Sequence, residues 1–113
     1  MFRKVGLEVI RSRKDFLQTQ RLGRRYSGSY LTLIVYGDGA DETSRVGFTV
    51  SKKVGNAVVR NRVKRRLRAL TRANATLYLA GADHVFIARP SAGSVQFNDL
   101  SADVACLLKS IKK

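Results

Sequence analysis

Residues 45 to 72 hold ten Lys and Arg and no Asp or Glu, and the aliphatic residues among them have helical spacing. At 3.6 residues per turn, four of those aliphatic side chains fall on one narrow stripe. They are Val59, Val63, Leu67 and Leu70. Asn56 precedes the stripe and is a residue type that caps helix N-termini. The pattern predicts a helix from Asn56 to Arg72 that buries this stripe.

The polar side chains of the predicted helix gather on the side away from the stripe, which we call the basic face. It consists of Arg60, Asn61, Lys64, Arg65, Arg68 and Arg72. A solvated helix face usually mixes charge signs so that residues four apart attract, whereas these cations repel one another. An anion would relieve that repulsion, and the planar guanidinium of arginine suits phosphates and exposed base edges. We therefore predict that the basic face binds nucleic acid.

Four further cations lie beside the basic face. Arg62 and Arg66 flank the aliphatic stripe, and their stems can cover its edge. Lys52 and Lys53 come just before the helix N-terminus, whose free N–H groups attract phosphate. Their spacing suits both an extension of the nucleic-acid surface and ordinary loop lysines. No Gly-Lys-Ser/Thr motif follows them, which excludes a nucleotide-binding loop of that type.

The total charge also indicates a polyanionic partner. The chain has 113 residues, and 22 Lys and Arg against 8 Asp and Glu give a net charge of +14. A chain of this length supports one packed core, so residues 1–113 are predicted to form a single domain. No aliphatic run reaches the roughly 18 residues that span a bilayer, so no membrane partner is expected. With one cysteine and no apolar leader at its N-terminus, the chain is expected in the reducing cytoplasm.

Two other helices are predicted from capping residues and apolar spacing. The segment from Ser12 to Asp15 has capping-box spacing and Gly23 can end a helix, which predicts a helix from Arg13 to Leu22. Apolar residues near the C-terminus also recur at helical spacing, with Asn98 or Asp99 as the cap. They are Leu100, Val104, Leu107, Leu108 and Ile111.

Three strands are predicted, at residues 30–36, 46–50 and 85–88. In the first strand, alternation places Leu31, Leu33 and Val35 on one face and Tyr30, Thr32, Ile34 and Tyr36 on the other. The first two strands are expected to pair antiparallel across the loop between them. Helices covering one face of a small, mainly antiparallel sheet of three to four strands would give a compact sandwich of the α+β class.

Residues that could form a catalytic centre are scattered along the chain. A nuclease needs clustered carboxylates for metal ions, or a histidine-based acid and base. Asp38, Asp41 and Glu42 are closely spaced, but they lie in a predicted loop where a solubilising role is the default. His84 is expected to have a structural role, and Cys106 is expected in the core near the last apolar stripe. We therefore predict no catalytic residue, metal site or small-molecule substrate site in this chain.

One long motif runs from Arg45 to Arg68. It reads RVGFTVSKKVGNAVVRNRVKRRLR, with Arg60-Asn61-Arg62 at its core. This motif closely resembles the signature of the bacterial ribonuclease P protein component. Asp15-Phe16, Gly23 and the strand end Ile87-Ala-Arg89 extend the resemblance over most of the chain.

The resemblance implies that a partner RNA is the catalyst and that this subunit helps it to remove the 5′ leader from precursor tRNA. It also implies that magnesium serves the RNA and that the fold contains an unusual left-handed βαβ crossover. The free protein is expected to be a monomer. In that family the helix with the Arg-Asn-Arg motif contacts the catalytic RNA. The residues expected at this contact are Arg60, Asn61, Arg62, Lys64, Arg65 and Arg68, with Lys52 and Lys53 beside them.

The resemblance further implies a cleft between the first helix and the sheet that holds the single-stranded leader. Phe16 matches a family cleft aromatic, whereas Gln20 replaces the aromatic that the family usually has one helical turn later. Tyr30, Ile34 and Tyr36 are added as leader-binding residues on the neighbouring strand face. The aromatic side chains of Phe16, Tyr30 and Tyr36 suit a role in the hydrophobic core equally well. The alternative function, which composition alone favours, is a general structural or ribosomal-type RNA-binding protein without a role in cleavage.

Overall fold

The computed structural model describes residues 7–37 and 43–111, which form one sheet and three α-helices. The strands are β1 (Leu7–Val9), β2 (Arg24–Ser27), β3 (Leu31–Gly37), β4 (Ser44–Thr49) and β5 (Ala82–Ala88). The helices are α1 (Arg13–Leu22), α2 (Ala57–Ala73) and α3 (Phe97–Lys109), with short 3-10 helices at Ala75–Leu77 and Pro90–Gly93. The predicted α+β class is confirmed. Within the described ranges, no helix is long and apolar enough to cross a membrane.

β5 lies at the centre of the sheet, whose strand order is β1-β4-β5-β3-β2. It pairs parallel with β4 and antiparallel with β3. The predicted antiparallel pairing of β3 with β4 is therefore wrong. The reason is burial, because the consecutive residues Val85 and Phe86 point to opposite faces and are both fully buried, as in a central strand. Asp38, Asp41 and Glu42, predicted in the loop before β4, lie outside the described residues.

The sheet has more strands and more parallel pairings than the sequence predicts. β1 and β2 are only three and four residues long and largely exposed, so they carry almost no apolar alternation. β1 pairs parallel with β4 and β2 pairs antiparallel with β3, which makes the five-stranded sheet mixed. β4, α2 and β5 form a βαβ unit with parallel neighbouring strands. Its left-handed sense stays a prediction.

Helices cover both faces of the sheet, which corrects the expectation of a single covered face. On one face, α2 and α3 pack on β3, β4 and β5 to form the main core. The contributions of the two helices include Val63, Leu67, Leu100 and Val104. α1 packs on the opposite face, against Ile34 of β3. Leu33, Ile34 and Val35 are consequently all buried, because β3 is covered from both sides.

The local sequence determines both ends of α1 as predicted. Ser12 Oγ accepts a hydrogen bond from the N–H of Asp15 at 3.4 Å and caps the first turn. At the other end, a Cβ on Gly23 would lie 2.5 Å from Ile34 Cγ2. Only glycine therefore lets the chain turn from the helix so close to β3. The predicted bounds of α1 are confirmed.

α3 buries the predicted apolar stripe but differs in its cap and its cysteine. Gln96 occupies the cap position instead of Asn98 or Asp99. The buried stripe consists of Leu100, Val104, Leu107, Leu108 and Ile111. Cys106 is exposed, so the prediction that it belongs to the core is wrong. It lies about 120° around the helix from Leu100, too far for the stripe to cover it.

Asp103 ties α3 to the turn between β2 and β3. Its buried carboxylate accepts hydrogen bonds from the N–H groups of Ser29 at 2.8 Å and of Tyr30 and Leu31 at 3.0 Å. These donors compensate for the removal of the charge from water. A Cβ on Gly28 would lie 2.6 Å from both carboxylate oxygens, so glycine is needed for this close approach. The bonds fix the start of β3 against α3.

His84 has the structural role that the sequence predicts. Its ring is fully buried in β5, where Nε2 accepts a hydrogen bond from the N–H of Leu79 at 3.1 Å. Nδ1 lies 3.1 Å from the carbonyl oxygen of Arg45. This arrangement requires the neutral ring with its proton on Nδ1. Burial lowers the pKa of His84 to about 4.

Candidate nucleic-acid interface

α2 presents its stripe and its basic face in the predicted orientation. Asn56 Oδ1 accepts a hydrogen bond from the N–H of Val59 at 3.0 Å, so Asn56 is the N-cap. The buried residues of the helix are Val63, Leu67, Leu70 and Thr71, with Val59 partly buried beside them. The helix ends at Ala73, one residue beyond the prediction. The predicted orientation of the helix is confirmed, and the basic face points away from the core.

The basic face has no carboxylate partner among the described residues. Its exposed members are Asn61, Arg65, Arg68 and Arg72, and its half-buried members are Arg60 and Lys64. The ion pairs within residues 7–37 and 43–111 both involve Arg45, which lies in β4. Arg60 Nε is buried, and no hydrogen-bond acceptor of the described chain reaches it. The cations of this face therefore repel one another without internal compensation.

Arg62 and Arg66 differ from the basic face because they bind the protein itself. Arg62 Nη2 donates a hydrogen bond to the carbonyl oxygen of Gly93 at 2.8 Å, and Arg66 Nη1 donates one to that of Val95 at 3.1 Å. The guanidinium of Arg66 also lies 6.0 Å from the centre of the Phe97 ring. The structure thus separates Arg62 from the residues with which the resemblance groups it, and gives it a packing role against the segment after β5.

Lys52 and Lys53 lie in the loop between β4 and α2. Both side chains are exposed. The N–H of Lys53 donates a hydrogen bond to Ser51 Oγ at 3.3 Å, and Val54 anchors the loop in the core. The two ammonium groups precede the N-terminal turn of α2, whose dipole adds to their positive field.

Phe16 lines a cleft beside α1, which we call the Phe16 cleft. Its volume is about 450 Å³, and its lining residues are Ile10, Arg11, Ser12, Arg13, Phe16, Leu17, Gln20 and Thr49. The Phe16 ring packs over β4, where a Cβ on Gly47 would lie 2.5 Å from Phe16 Cε2. Glycine at this position therefore provides the space that the ring occupies. The cleft combines an aromatic side chain with two arginines, as single-stranded nucleic-acid sites do.

A smaller cleft of about 230 Å³ connects Phe16 with the basic face. β1 ends at Val9, so the edge of β4 beyond Val46 has no neighbouring strand. The smaller cleft lies at this open edge, and its lining includes Phe16, Lys64 and Arg68. The aromatic ring from one face of the sheet and the cations from the other therefore meet at one edge.

Comparison with known proteins assigns this chain to a family. The family model described as Ribonuclease P matches residues 6–112. This chain belongs to the ribonuclease P protein family. Similar curated proteins include the ribonuclease P protein component of Ruegeria pomeroyi, which is 44% identical over 109 residues, covering 94% of this chain and 87% of that protein. The component of Clostridium novyi is 41% identical over 103 residues, covering 90% and 91%.

Solved structures of ribonuclease P proteins share this architecture. The protein from Thermotoga maritima has a TM-score of 0.81 and 31% identity, and the match covers 92% of this chain and 97% of that one. The protein from Staphylococcus aureus has a TM-score of 0.80 and 28% identity, with coverage of 89% and 92%. The resemblance stated from the sequence motif is thus confirmed.

The other residues predicted to bind the leader do not join Phe16 in this chain. Tyr30 precedes β3 and packs against the main core, on the face opposite α1. Ile34 is fully buried under α1, so the strand alternation was right but the side chain is inaccessible. Tyr36 is exposed, yet it aligns with Asp83 in the sheet, whereas Gly47 aligns with Val85. Tyr36 therefore lies on the other flank of α1 from the Phe16 cleft.

Arg45 holds α1 on the sheet, a contact that sequence spacing does not reveal. Its Nε and Nη2 donate to the two carboxylate oxygens of Asp83, each at 2.7 Å, and its Nη1 donates to Asp15 at 3.0 Å. The hydrogen bond to Asp83 is the main cause that raises the pKa of Arg45. Asp15 directly precedes Phe16, so this three-residue cluster, which we call the Arg45 cluster, fixes the wall of the Phe16 cleft. Its members come from α1, β4 and β5.

Proposed function

We propose that this chain is the protein subunit of ribonuclease P that binds the catalytic RNA through the basic face of α2. In this proposal it also binds the 5′ leader of precursor tRNA in the Phe16 cleft and so assists the endonucleolytic removal of the leader. The catalytic RNA cleaves the precursor, and magnesium serves the chemistry of that RNA. Lys52 and Lys53 extend the RNA contact beyond the N-terminus of α2.

The unpaired positive charge of the basic face is the observation that carries this proposal. Evenly spaced cations without an internal acid lower the stability of the free protein, and bound phosphates would reverse that effect. The exposure of Arg65 and Arg68 supports the same conclusion, because phosphates can reach their guanidinium groups. Arg62 takes part through the donors that its bond to Gly93 leaves available.

The Phe16 cleft supports the second half of the proposal. Leader bases are unpaired, so they can stack on an aromatic ring while arginines contact the backbone. Phe16, Arg11 and Arg13 supply these groups. The smaller cleft brings Lys64 and Arg68 next to the same ring, so a leader in the cleft would lie close to an RNA on α2.

The described residues do not suit a protein-held magnesium ion. No three His, Cys, Asp or Glu side chains converge among residues 7–37 and 43–111. Asp15 and Asp83, two acids near the cleft, are bound to Arg45. We therefore assign no step of the reaction to a metal on this chain.

Reconstitution with a bacterial ribonuclease P RNA tests the proposed function. We expect the protein to stimulate precursor-tRNA cleavage at low magnesium, where the RNA alone is slow. Lys109→Ala is the control for the loss of charge alone, because it removes an exposed cation from α3, away from the basic face, and it should stimulate cleavage like the unchanged protein. RNA binding without stimulation would instead indicate the general structural RNA-binding protein.

Phe16→Ala tests the cleft separately from assembly. We expect the preference of the holoenzyme for precursor over mature tRNA to fall by roughly tenfold, as for the loss of one stacked base. Binding to the catalytic RNA should change little, because the basic face is intact. One protein preparation is titrated with the catalytic RNA, and the holoenzyme made from it is titrated with precursor and with mature tRNA. An equal loss of precursor preference and of binding to the catalytic RNA would mean that Phe16 only supports the fold.

A further inference from the structure

α1 carries a second cationic surface, on its solvent side. This outer face of α1 consists of Arg13, Lys14, Leu17, Gln18 and Arg21, which together line a shallow depression. The three cations are exposed, and the side chain of Leu17 is 48% exposed between them. The proposed function does not use Lys14, Gln18 or Arg21.

The charge of this surface has the same imbalance as that of α2. Residues 11 to 25 hold six Lys and Arg and one acid, Asp15. Asp15 is bound to Arg45 on the sheet side, so it does not neutralise the outer face. Arg13 and Lys14 lie in the first turn of α1, where the helix dipole disfavours cations. Among the described residues, none of the three outer cations forms an ion pair.

The outer face is continuous with the Phe16 cleft and separate from the basic face. Arg13 and Leu17 line both the cleft and the outer depression, so the two form one surface around α1. α2 lies on the opposite face of the sheet. An RNA that covers the basic face would therefore leave the outer face of α1 accessible.

We propose that the outer face of α1 binds single-stranded RNA, as a continuation of the leader beyond the nucleotides in the Phe16 cleft. This inference rests on the proposed function and extends its substrate site. The three cations contact successive phosphates of the strand, and Leu17 with the aliphatic stems of Arg13 and Arg21 contacts bases or riboses. A strand leaving the cleft past Arg13 reaches Lys14 and Arg21 without crossing the protein.

The consequence is a dependence of affinity on leader length. Leaders that end inside the cleft gain nothing from the outer face, whereas longer leaders gain phosphate contacts. The test uses precursor tRNAs whose leaders are lengthened one nucleotide at a time, and the protein variant Lys14→Ala/Arg21→Ala, which leaves Arg13 of the Phe16 cleft unchanged. Alanine favours helix, so α1 is expected to persist in the variant.

We expect the variant and the unchanged protein to differ in affinity only when the precursor has a long leader. The holoenzyme with the variant should bind long-leader precursors roughly fivefold more weakly at low salt, and the salt dependence of that affinity should fall by about one and a half units for two contacts. Affinity for the shortest leaders and stimulation of their cleavage should equal those of the unchanged protein. The charge-preserving variant Lys14→Arg/Arg21→Lys should retain most of the length dependence.

Other outcomes would overturn the inference in distinguishable ways. An equal loss at every leader length would place the outer face on the catalytic RNA or on the tRNA body. No loss at any length would show that it is a solvated helix surface. If the unchanged protein fails to stimulate cleavage even with the shortest leader, the proposed function itself is wrong. Circular dichroism of the variant checks that none of these results comes from unfolding.

Discussion

The basic face of α2 and the Arg45 cluster use arginine in opposite ways. In α2, four cations of the basic face lie four residues apart, Arg65 lies beside them, and no described acid accompanies them on this side of the helix. In the Arg45 cluster, one guanidinium is shared by two carboxylates from α1 and β5. Unpaired arginines raise the free energy of the isolated protein and are available to an RNA. Paired arginine fixes the geometry of the neighbouring cleft.

Removing two unpaired arginines should give the largest effect on binding. We expect Arg65→Ala/Arg68→Ala to weaken assembly with the catalytic RNA by roughly a hundredfold, since each charge-assisted bond contributes ~1.5 kcal/mol or more. The salt dependence of binding should fall by about two units or less, and the melting temperature should not decrease. Titration of labelled RNA at several salt concentrations measures both quantities.

The matched control keeps the charge and removes only the planar fork. Arg65→Lys/Arg68→Lys should retain the salt dependence of the unchanged protein, while some affinity is lost with the bidentate bonds. If the alanine variant keeps its full salt dependence, both side chains face solvent in the complex, and the contrast between the two regions fails.

Removal of the arginine from the Arg45 cluster should mainly lower the stability of the fold. Arg45→Gln leaves Asp83, whose side chain is only 15% exposed, without its cation. We expect the free energy of unfolding to fall by ~2 kcal/mol, below the cost for a fully buried pair because Arg45 is partly solvated. The preference for precursor tRNA should fall too, since α1 loses its bond to β4 and Phe16 shifts. Urea unfolding and paired precursor and mature tRNA titrations measure these effects.

A second substitution separates positioning from general destabilisation. Arg45→Gln/Asp83→Asn removes the uncompensated carboxylate and should recover part of the stability. The Asp15 bond stays broken, so the precursor preference should stay low. Recovery of both properties together would show that the Arg45 cluster acts only on stability.

Acid should weaken the attachment of β5 to the segment before it, because protonation of His84 Nε2 removes the acceptor of the Leu79 N–H. The pKa of His84 is lowered from 6.5 to about 4 in the folded chain. The unfolded chain therefore binds more protons between these values, so stability is complete above pH 6.5 and is lost as the pH falls toward 4. The loss should reach ~2 kcal/mol between pH 7 and pH 5.

Urea unfolding at a series of pH values measures this loss. His84 is the only histidine, so His84→Gln should flatten the profile between pH 5 and pH 7, although it lowers the stability at pH 7. A profile that is unchanged in His84→Gln would assign the acid sensitivity to carboxylates instead.

The sequence could predict features that depend on local residues, but not those that depend on contacts between distant segments. The orientation of α2 follows from local periodicity, because Val59, Val63 and Leu67 lie within one helix. The bounds of α1 follow from Ser12 and Gly23 for the same reason. By comparison, the insertion of β5 between β3 and β4 depends on contacts between distant segments, and nothing in residues 30–50 indicates it.

The candidate site also contains features that are visible in the local sequence and features that depend on distant contacts. The unpaired basic face is visible in the sequence because it needs no partner from the chain. The Arg45 cluster unites residues 15, 45 and 83, and Arg62 is bound by Gly93, so neither contact has a local signal. The separation of Tyr36 from Phe16 likewise depends on the direction in which α1 crosses the sheet. Strand alternation places Tyr36 on the correct face but cannot place it along that face.

The smallest expected effect concerns Gln20, which lines the Phe16 cleft one helical turn after the aromatic ring. Gln20→Phe should add a second stacking surface on the flank of α1 that the Arg45 cluster holds in place. We expect a gain of ~1 kcal/mol, about fivefold, in the preference for precursor over mature tRNA, with unchanged binding to the catalytic RNA. Gln20→Leu is the control, because it supplies apolar area without a π-face. An equal gain from leucine would mean that the cleft recognises apolar contact and not stacking. A gain from phenylalanine that disappears in the Arg45→Gln background would show that the paired arginine, and not the ring alone, makes the cleft a binding site.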